Sequence, residues 1–139
     1  VQNSGRWNNE APTASSFSIG THASVNASGA KIIAMLFSSV DGISKVGYYS
    51  GSTSQQTITL GFQPRFIIIR NTAGSRNWVM FDTLRGWGAG NDQELSLNKS
   101  DAQGGNNDRG EPTATGFTVG TGNDDTNGSG MNYIYYAHA

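Results

Sequence analysis

The sequence predicts an all-β fold: an antiparallel β-sandwich, jelly-roll or lectin-like in style, of about nine short strands. Three observations lead there. Small uncharged residues dominate the 139-residue chain, with Gly at 19 positions and Ser, Asn and Thr at 16, 13 and 12, against only 14% charged residues. That is the composition of short strands joined by turns. Three Trp, five Tyr and six Phe, together with tight apolar runs, argue against disorder, which requires their scarcity. No window shows the 3.6-residue apolar period of an amphipathic helix. The length suits one domain, residues 1–139, and is too short for two independent cores.

The elements follow in order. Phe17 to Gly20 reads as a strand, followed by a Gly/Asn/Ser loop and a β-rich run from Lys31 to Ala34. Ser44 to Tyr49 and Gln56 to Leu60 flank the turn cluster Gly51-Ser52-Thr53-Ser54. Gln56 to Leu60 alternates polar and apolar, as a half-exposed strand requires. Phe66 to Ile69 is continuously apolar, the pattern of a strand buried on both faces, and Pro64 sits ahead of it where no ladder bond is lost. Trp78 to Phe81 follows the turn Thr72-Ala73-Gly74-Ser75 and should form a hairpin with it, with Trp78 in the core. Glu94 to Asn98 is a short alternating strand. Adjacent Tyr48 and Tyr49 must point to opposite faces, leaving one exposed. In the final run Tyr133 and Tyr135 share one face, Ile134 and Tyr136 the other, and an open edge so aromatic would invite aggregation. It is therefore expected to be paired.

An internal repeat cuts across these elements. Pro12-Thr13-Ala14-Ser15-Ser16-Phe17-Ser18-Ile19-Gly20-Thr21 returns as Pro112-Thr113-Ala114-Thr115-Gly116-Phe117-Thr118-Val119-Gly120-Thr121. After one inserted residue Asn26-Ala27-Ser28-Gly29 faces Asn127-Gly128-Ser129-Gly130, and Lys31-Ile32-Ile33-Ala34 faces Asn132-Tyr133-Ile134-Tyr135. Residues 1–40 thus resemble the end of a preceding module and 41–139 one complete module. A single sandwich with two similar hairpins accounts for the repeat as well. Val1 in place of Met points to a processed chain or to a piece of something longer.

Charge and composition narrow the function classes. A net charge of −1 and nine scattered basic residues leave no electrostatic footprint for nucleic acid or anionic lipid. The chain has no cysteine, which removes disulfide scaffolds and thiol chemistry. The longest apolar run, Ile32 to Phe37, is far below the roughly 20 residues that span a bilayer, so no membrane insertion is expected. The two histidines, His22 in a loop and His138 one residue from the end, stand beside no nucleophile-elbow serine. Of the acids only Asp82 and Glu94 lie on or beside strands, so no paired carboxylates are indicated. The chain reads as a non-enzyme without a cofactor.

Two binding chemistries are open to the chain. Asn123-Asp124-Asp125-Thr126-Asn127 gathers hard oxygen ligands, making Asp124 and Asp125 weak calcium candidates, but no Glu closes the loop and Asp and Asn are ordinary turn residues. Carbohydrate would be gripped by an aromatic face with planar polar groups beside it. Trp87, in the Gly-rich stretch Arg85-Gly86-Trp87-Gly88, is the candidate platform, with Asp82, Arg85, Asn91 and Asp92 as polar contacts and Trp7 in a similar setting. The alternative for Trp87 is a loop residue folded back onto the sandwich edge or into a subunit interface. The sequons at Asn26, Asn98 and Asn127 arise readily by chance in so Asn- and Ser-rich a chain.

Several of these phrases together resemble a known family. Phe17-Ser18-Ile19-Gly20-Thr21, Val25 to Gly29, Gly47-Tyr48-Tyr49-Ser50-Gly51 and Leu60-Gly61-Phe62-Gln63-Pro64-Arg65-Phe66-Ile67-Ile68-Ile69-Arg70 are similar to repeated modules in virion proteins of tailed bacteriophages, notably the large tail-fibre-like proteins of cyanophages. Trp78, Asp82, Arg85 and Tyr133 to Ala137 follow the same module pattern. The Gly-rich Gly104-Gly105-Asn106-Asn107 and His138, in place of the usual Phe, depart from it. The resemblance implies a non-enzymatic β-sandwich module of a tail fibre or other appendage on the virion surface, with copies of itself and other virion proteins as partners. It leaves two roles open: contact with host surface glycans through the Trp87 loop, or decoration and cementing of a capsid without ligand.

Overall fold

The computed structural model describes residues 4–139. The chain divides into two compact units, Val1–Leu36 and Phe37–Ala139. The second holds the sandwich, and its strands are β1 (Ser44–Ser50), β2 (Gln56–Thr59), β3 (Phe66–Asn71), β4 (Trp78–Asp82), β5 (Asp92–Ser96), β6 (Gly104–Asn107), β7 (Pro112–Thr113), β8 (Gly116–Val119) and β9 (Asn132–His138).

A six-stranded sheet runs in the order β1-β9-β3-β4-β5-β6, and a three-stranded sheet in the order β2-β8-β7. All the pairings are antiparallel. The aromatic C-terminal strand β9 is paired on both sides, with Tyr136 opposite Val46 of β1 and Ile68 of β3. That removes the edge hazard its sequence carries. β3 and β4 form the expected hairpin, Ile68 opposite Met80.

The pleat sorts the side chains. Tyr49, Ile67, Ile69, Val79, Phe81, Tyr133, Tyr135 and Ala137 point inward and meet Leu60, Phe117 and Val119 of the smaller sheet's side in one core. Phe117 stands edge-on to Tyr135 at 5.5 Å between centroids, and Tyr49 stacks on Tyr133 at 4.9 Å. Two glycines make room. A Cβ on Gly47 would run into the Tyr135 hydroxyl, and one on Gly51 into the Gly128 carbonyl.

The same alternation corrects one expectation. Trp78 precedes Val79, which points inward, so Trp78 points outward and is 40% exposed instead of buried. The Gly-rich Gly104–Asn107 is edge strand β6, lying against β5.

The first unit carries two single helical turns, Ser4–Trp7 and Ala23–Asn26, the second capped by the His22 ring, whose Nδ1 accepts the Ser24 N–H at 3.1 Å. Among the described residues of this unit there is no strand. The strands expected at Phe17 to Gly20 and Lys31 to Ala34 do not form; their side chains have no sheet to join, and a strand without partners is unstable in water.

Candidate functional site

The Trp87 loop grows out of β4. Asp82 ends that strand and its Oδ1 accepts the Leu84 N–H at 2.8 Å, starting the 3-10 turn Thr83–Arg85. Gly86 closes the turn at φ 98°, a left-handed conformation suited to Gly. The Trp87 N–H then bonds back to the Asp82 carbonyl at 3.1 Å. This geometry throws the indole inward. Trp87 is 4% exposed, lies against Phe81 and Phe117 at 6.1 and 6.4 Å between centroids, and donates Nε1–H to the Gly110 carbonyl at 2.8 Å. The expectation of a sugar platform at Trp87 is therefore corrected: the glycines turn the chain so that the ring is a core residue.

The polar residues proposed beside it divide in the same way. Asp92 is buried, and its carboxylate accepts the Gly88 N–H at 3.0 Å and the Arg109 N–H at 2.6 Å, tying the Trp87 loop to the approach of β7. Burial pushes this carboxyl above the ordinary range, while the N–H groups of Gly88, Arg109 and Gly110 pull it back. Arg109 Nε reaches Glu94 at 2.9 Å and completes the clip. Asp82 pairs with Arg65 at 3.3 Å. Arg85 bonds Gln103, and Asn91 and Arg85 are exposed. Trp7, 47% exposed, belongs to the first unit. With Trp87 and Asp92 buried, the five residues of the second unit do not form one sugar site.

The Asn123-to-Asn127 loop is a structural knot. Asn127 is buried; its Oδ1 accepts the Ser52 N–H at 2.9 Å and the Gln56 Nε2 at 2.8 Å, and its Nδ2 donates to Ser54 at 3.0 Å and Gly120 at 2.9 Å. The Tyr133 hydroxyl accepts the Gly128 N–H at 2.6 Å and donates to the Asp124 carbonyl at 2.9 Å. The two carboxylates considered for calcium are engaged elsewhere: Asp124 with Arg76 at 2.8 Å, and Asp125 with the backbone and side-chain nitrogens of Asn77 at 3.1 and 3.0 Å. Among the described residues no group of three or more His, Cys, Asp or Glu is placed to hold a metal ion.

What sequence reasoning missed is the outward face of the six-stranded sheet. Registers align Val46, Tyr136, Ile68, Met80 and Leu95 in one apolar row across β1, β9, β3, β4 and β5. The next row is Tyr48, Ile134, Arg70 and Trp78, with the Arg70 guanidinium 5.6 Å from the Trp78 ring centre. Tyr48 is 85% exposed, as expected of one member of the Tyr48–Tyr49 pair. The signal was available, since each residue alternates with an inward neighbour, but the row exists only once the strand order is known.

A family model described as "Domain of unknown function (DUF7483)" matches residues 1–139, the whole chain. No curated protein and no solved structure matches it.

Proposed function

The chain belongs to the DUF7483 family, and we propose that its sandwich is a non-enzymatic structural module of a bacteriophage virion, a tail-fibre or surface-appendage building block. The observation that carries this reading is the outward sheet face, where Val46, Tyr48, Ile134 and Trp78 stand exposed beside half-buried Met80 and Leu95, while Ile68 is buried and Phe37 packs on Tyr136. A contiguous apolar patch edged by polar residues is the usual mark of a protein-protein surface. The partners would be copies of the chain and neighbouring virion proteins. Many weak copies on one particle act by avidity and need no strong single site. The motif residues shared with the phage modules serve architecture in this chain: Asp82 caps a turn and Tyr133 holds the core, which fits a building block. A capsid-decorating role would use the same face elsewhere on the particle.

A host-glycan contact is a second reading, and it moves from Trp87 to the exposed aromatics Tyr48 and Trp78 with Arg70 between strands. Sedimentation across a concentration range, paired with a glycan array, tests both. Concentration-dependent association that Val46→Asp abolishes while the melting temperature holds supports the assembly role. Specific sugar binding lost in Trp78→Ala supports the glycan role. A chain monomeric at every concentration, inert toward virion proteins and silent on the array overturns both.

A further inference from the structure

The first unit repeats the turn geometry of residues 120–131. The Gly20 N–H donates to the Arg6 carbonyl at 2.7 Å, as the Gly120 N–H does to Arg109 at 2.8 Å. The Asn26 and Asn127 N–H groups reach the carbonyls of His22 and Asn123 at 3.0 and 2.7 Å. The side chains of His22 and Asn123 cap the same turn, accepting the N–H of Ser24 and Asp125. Asn26 Nδ2 bonds the Gly20 carbonyl at 3.1 Å, and Asn127 Nδ2 bonds Gly120 at 2.9 Å. Gly29 and Gly130 have φ of 74° and 73°. The repeat is thus structural as well as textual.

One thing differs. In the second copy the flanking segments are strands: β8 pairs with β2, and β9 lies between β1 and β3. In the first copy the equivalents of β8 and β9 are unpaired, and their apolar side chains are exposed. Phe17 and Ile19 correspond to the buried Phe117 and Val119, and Ile32 to the buried Tyr133. Ile33 reaches 91% exposure. Turns close through local bonds, whereas a strand needs neighbours.

We propose that residues 12–19 and 31–36 are the last three strands of a second sandwich, completed by a β1–β6 set of this same fold placed ahead of them in one longer polypeptide. The pairing is strand addition: residues 31–36 enter between that set's β1 and β3 with Ile32, Ala34 and Leu36 inward, and Phe17 and Ile19 enter its core. Chain order favours this occupant. In the complete module β6 ends at Asn107, two residues before Arg109, whose carbonyl takes the Gly120 N–H. Arg6 holds that place in the first copy, so a connection as short would serve. The proposal does not rest on the virion reading.

The test extends the full chain at its N-terminus with a second copy of residues 41–107 and follows amide hydrogen exchange. Slowing at residues 32, 34 and 36 by about 100-fold or more, with residues 44–138 unchanged, is expected. Ile32→Asp in the extended chain should abolish that slowing and leave the C-terminal sandwich protected. A second readout uses the absence of cysteine: Met35→Cys paired with Val46→Cys of the added copy should close a disulfide, because Tyr136 and Val46 are cross-strand partners in the complete module. Unaltered exchange at 31–36 together with no disulfide overturns the proposal. So does slowed exchange at 31–36 in the unextended chain upon self-association, which would assign the segment to a second copy.

Discussion

The indole Nε1–H of Trp87 donates to the carbonyl of Gly110 inside the core, joining the loop after β4 to the turn before β7. One side chain therefore bridges the two sheets' peripheral connections while its ring fills the space between Phe81 and Phe117. Trp87→Ala should cost about 3–5 kcal/mol from the lost burial and the cavity together. Trp87→Phe should cost less and leave the Gly110 carbonyl without its partner, about 1–3 kcal/mol. Denaturant midpoints check both, and a loss below about 1 kcal/mol for Trp87→Ala would show that the ring is not core.

Asn127 and Asn26 occupy matching positions but carry different loads. Truncating buried Asn127 removes four part-buried hydrogen bonds, to Ser52, Gln56, Ser54 and Gly120, and Asn127→Ala should cost about 3 kcal/mol. Asn26→Ala removes a single part-buried bond and should change the melting of the sandwich hardly at all. Equal effects in thermal unfolding would break this contrast.

Asp92 sets a pH dependence with a definite sign. Its folded carboxyl titrates above the ordinary value because it is buried. Its contribution to stability is thus present in full below the unfolded pKa, near 3.9, and is lost as pH rises through the raised folded value. Asp92→Asn should flatten that part of the stability-pH curve, even though the variant is less stable overall because the amide cannot accept from both Gly88 and Arg109. Urea midpoints at closely spaced acidic pH values measure the slope; an identical slope in the variant would assign it to another group.

The alkaline limb belongs to tyrosine. Burial pushes the phenols of Tyr49, Tyr133 and Tyr135 above the ordinary range. Stability that is full below the unfolded value near 10 is then lost as pH climbs past it, because the unfolded chain gains by ionising first. Phenolate absorbance should show these three rings ionising together with unfolding. Early, non-cooperative ionisation of three or more tyrosines would contradict their burial.

Much of the sandwich was legible in sequence because its rules are local. Val79 and Phe81 fix which face of β4 is inward, and the unbroken run Phe66 to Ile69 marks a strand covered on both sides. The alternation of Tyr133 to Tyr136 foretold a paired strand, and the Asp- and Asn-rich loop read as a turn. For Trp87 the local pattern left two readings open, an exposed platform or a ring folded back onto the sandwich, and the second holds because Gly86 supplies the positive φ that aims the ring inward.

The sequence by itself determined the all-β class, the alternation of the final strand, the turns and the repeat, since each depends on residues a few positions apart, but it put Trp78 on the wrong face of β4. The repeated turns around Asn26 and Asn127 close alike in both copies for that reason. Beyond the β3–β4 hairpin, only the tertiary structure decided which strands become neighbours. Strand order places Val46, Tyr136, Ile68, Met80 and Leu95 in one row, and it gives Tyr133 a sheet on both sides while Ile32 has none. Pairing joins residues far apart in the chain, and no local pattern encodes the partner.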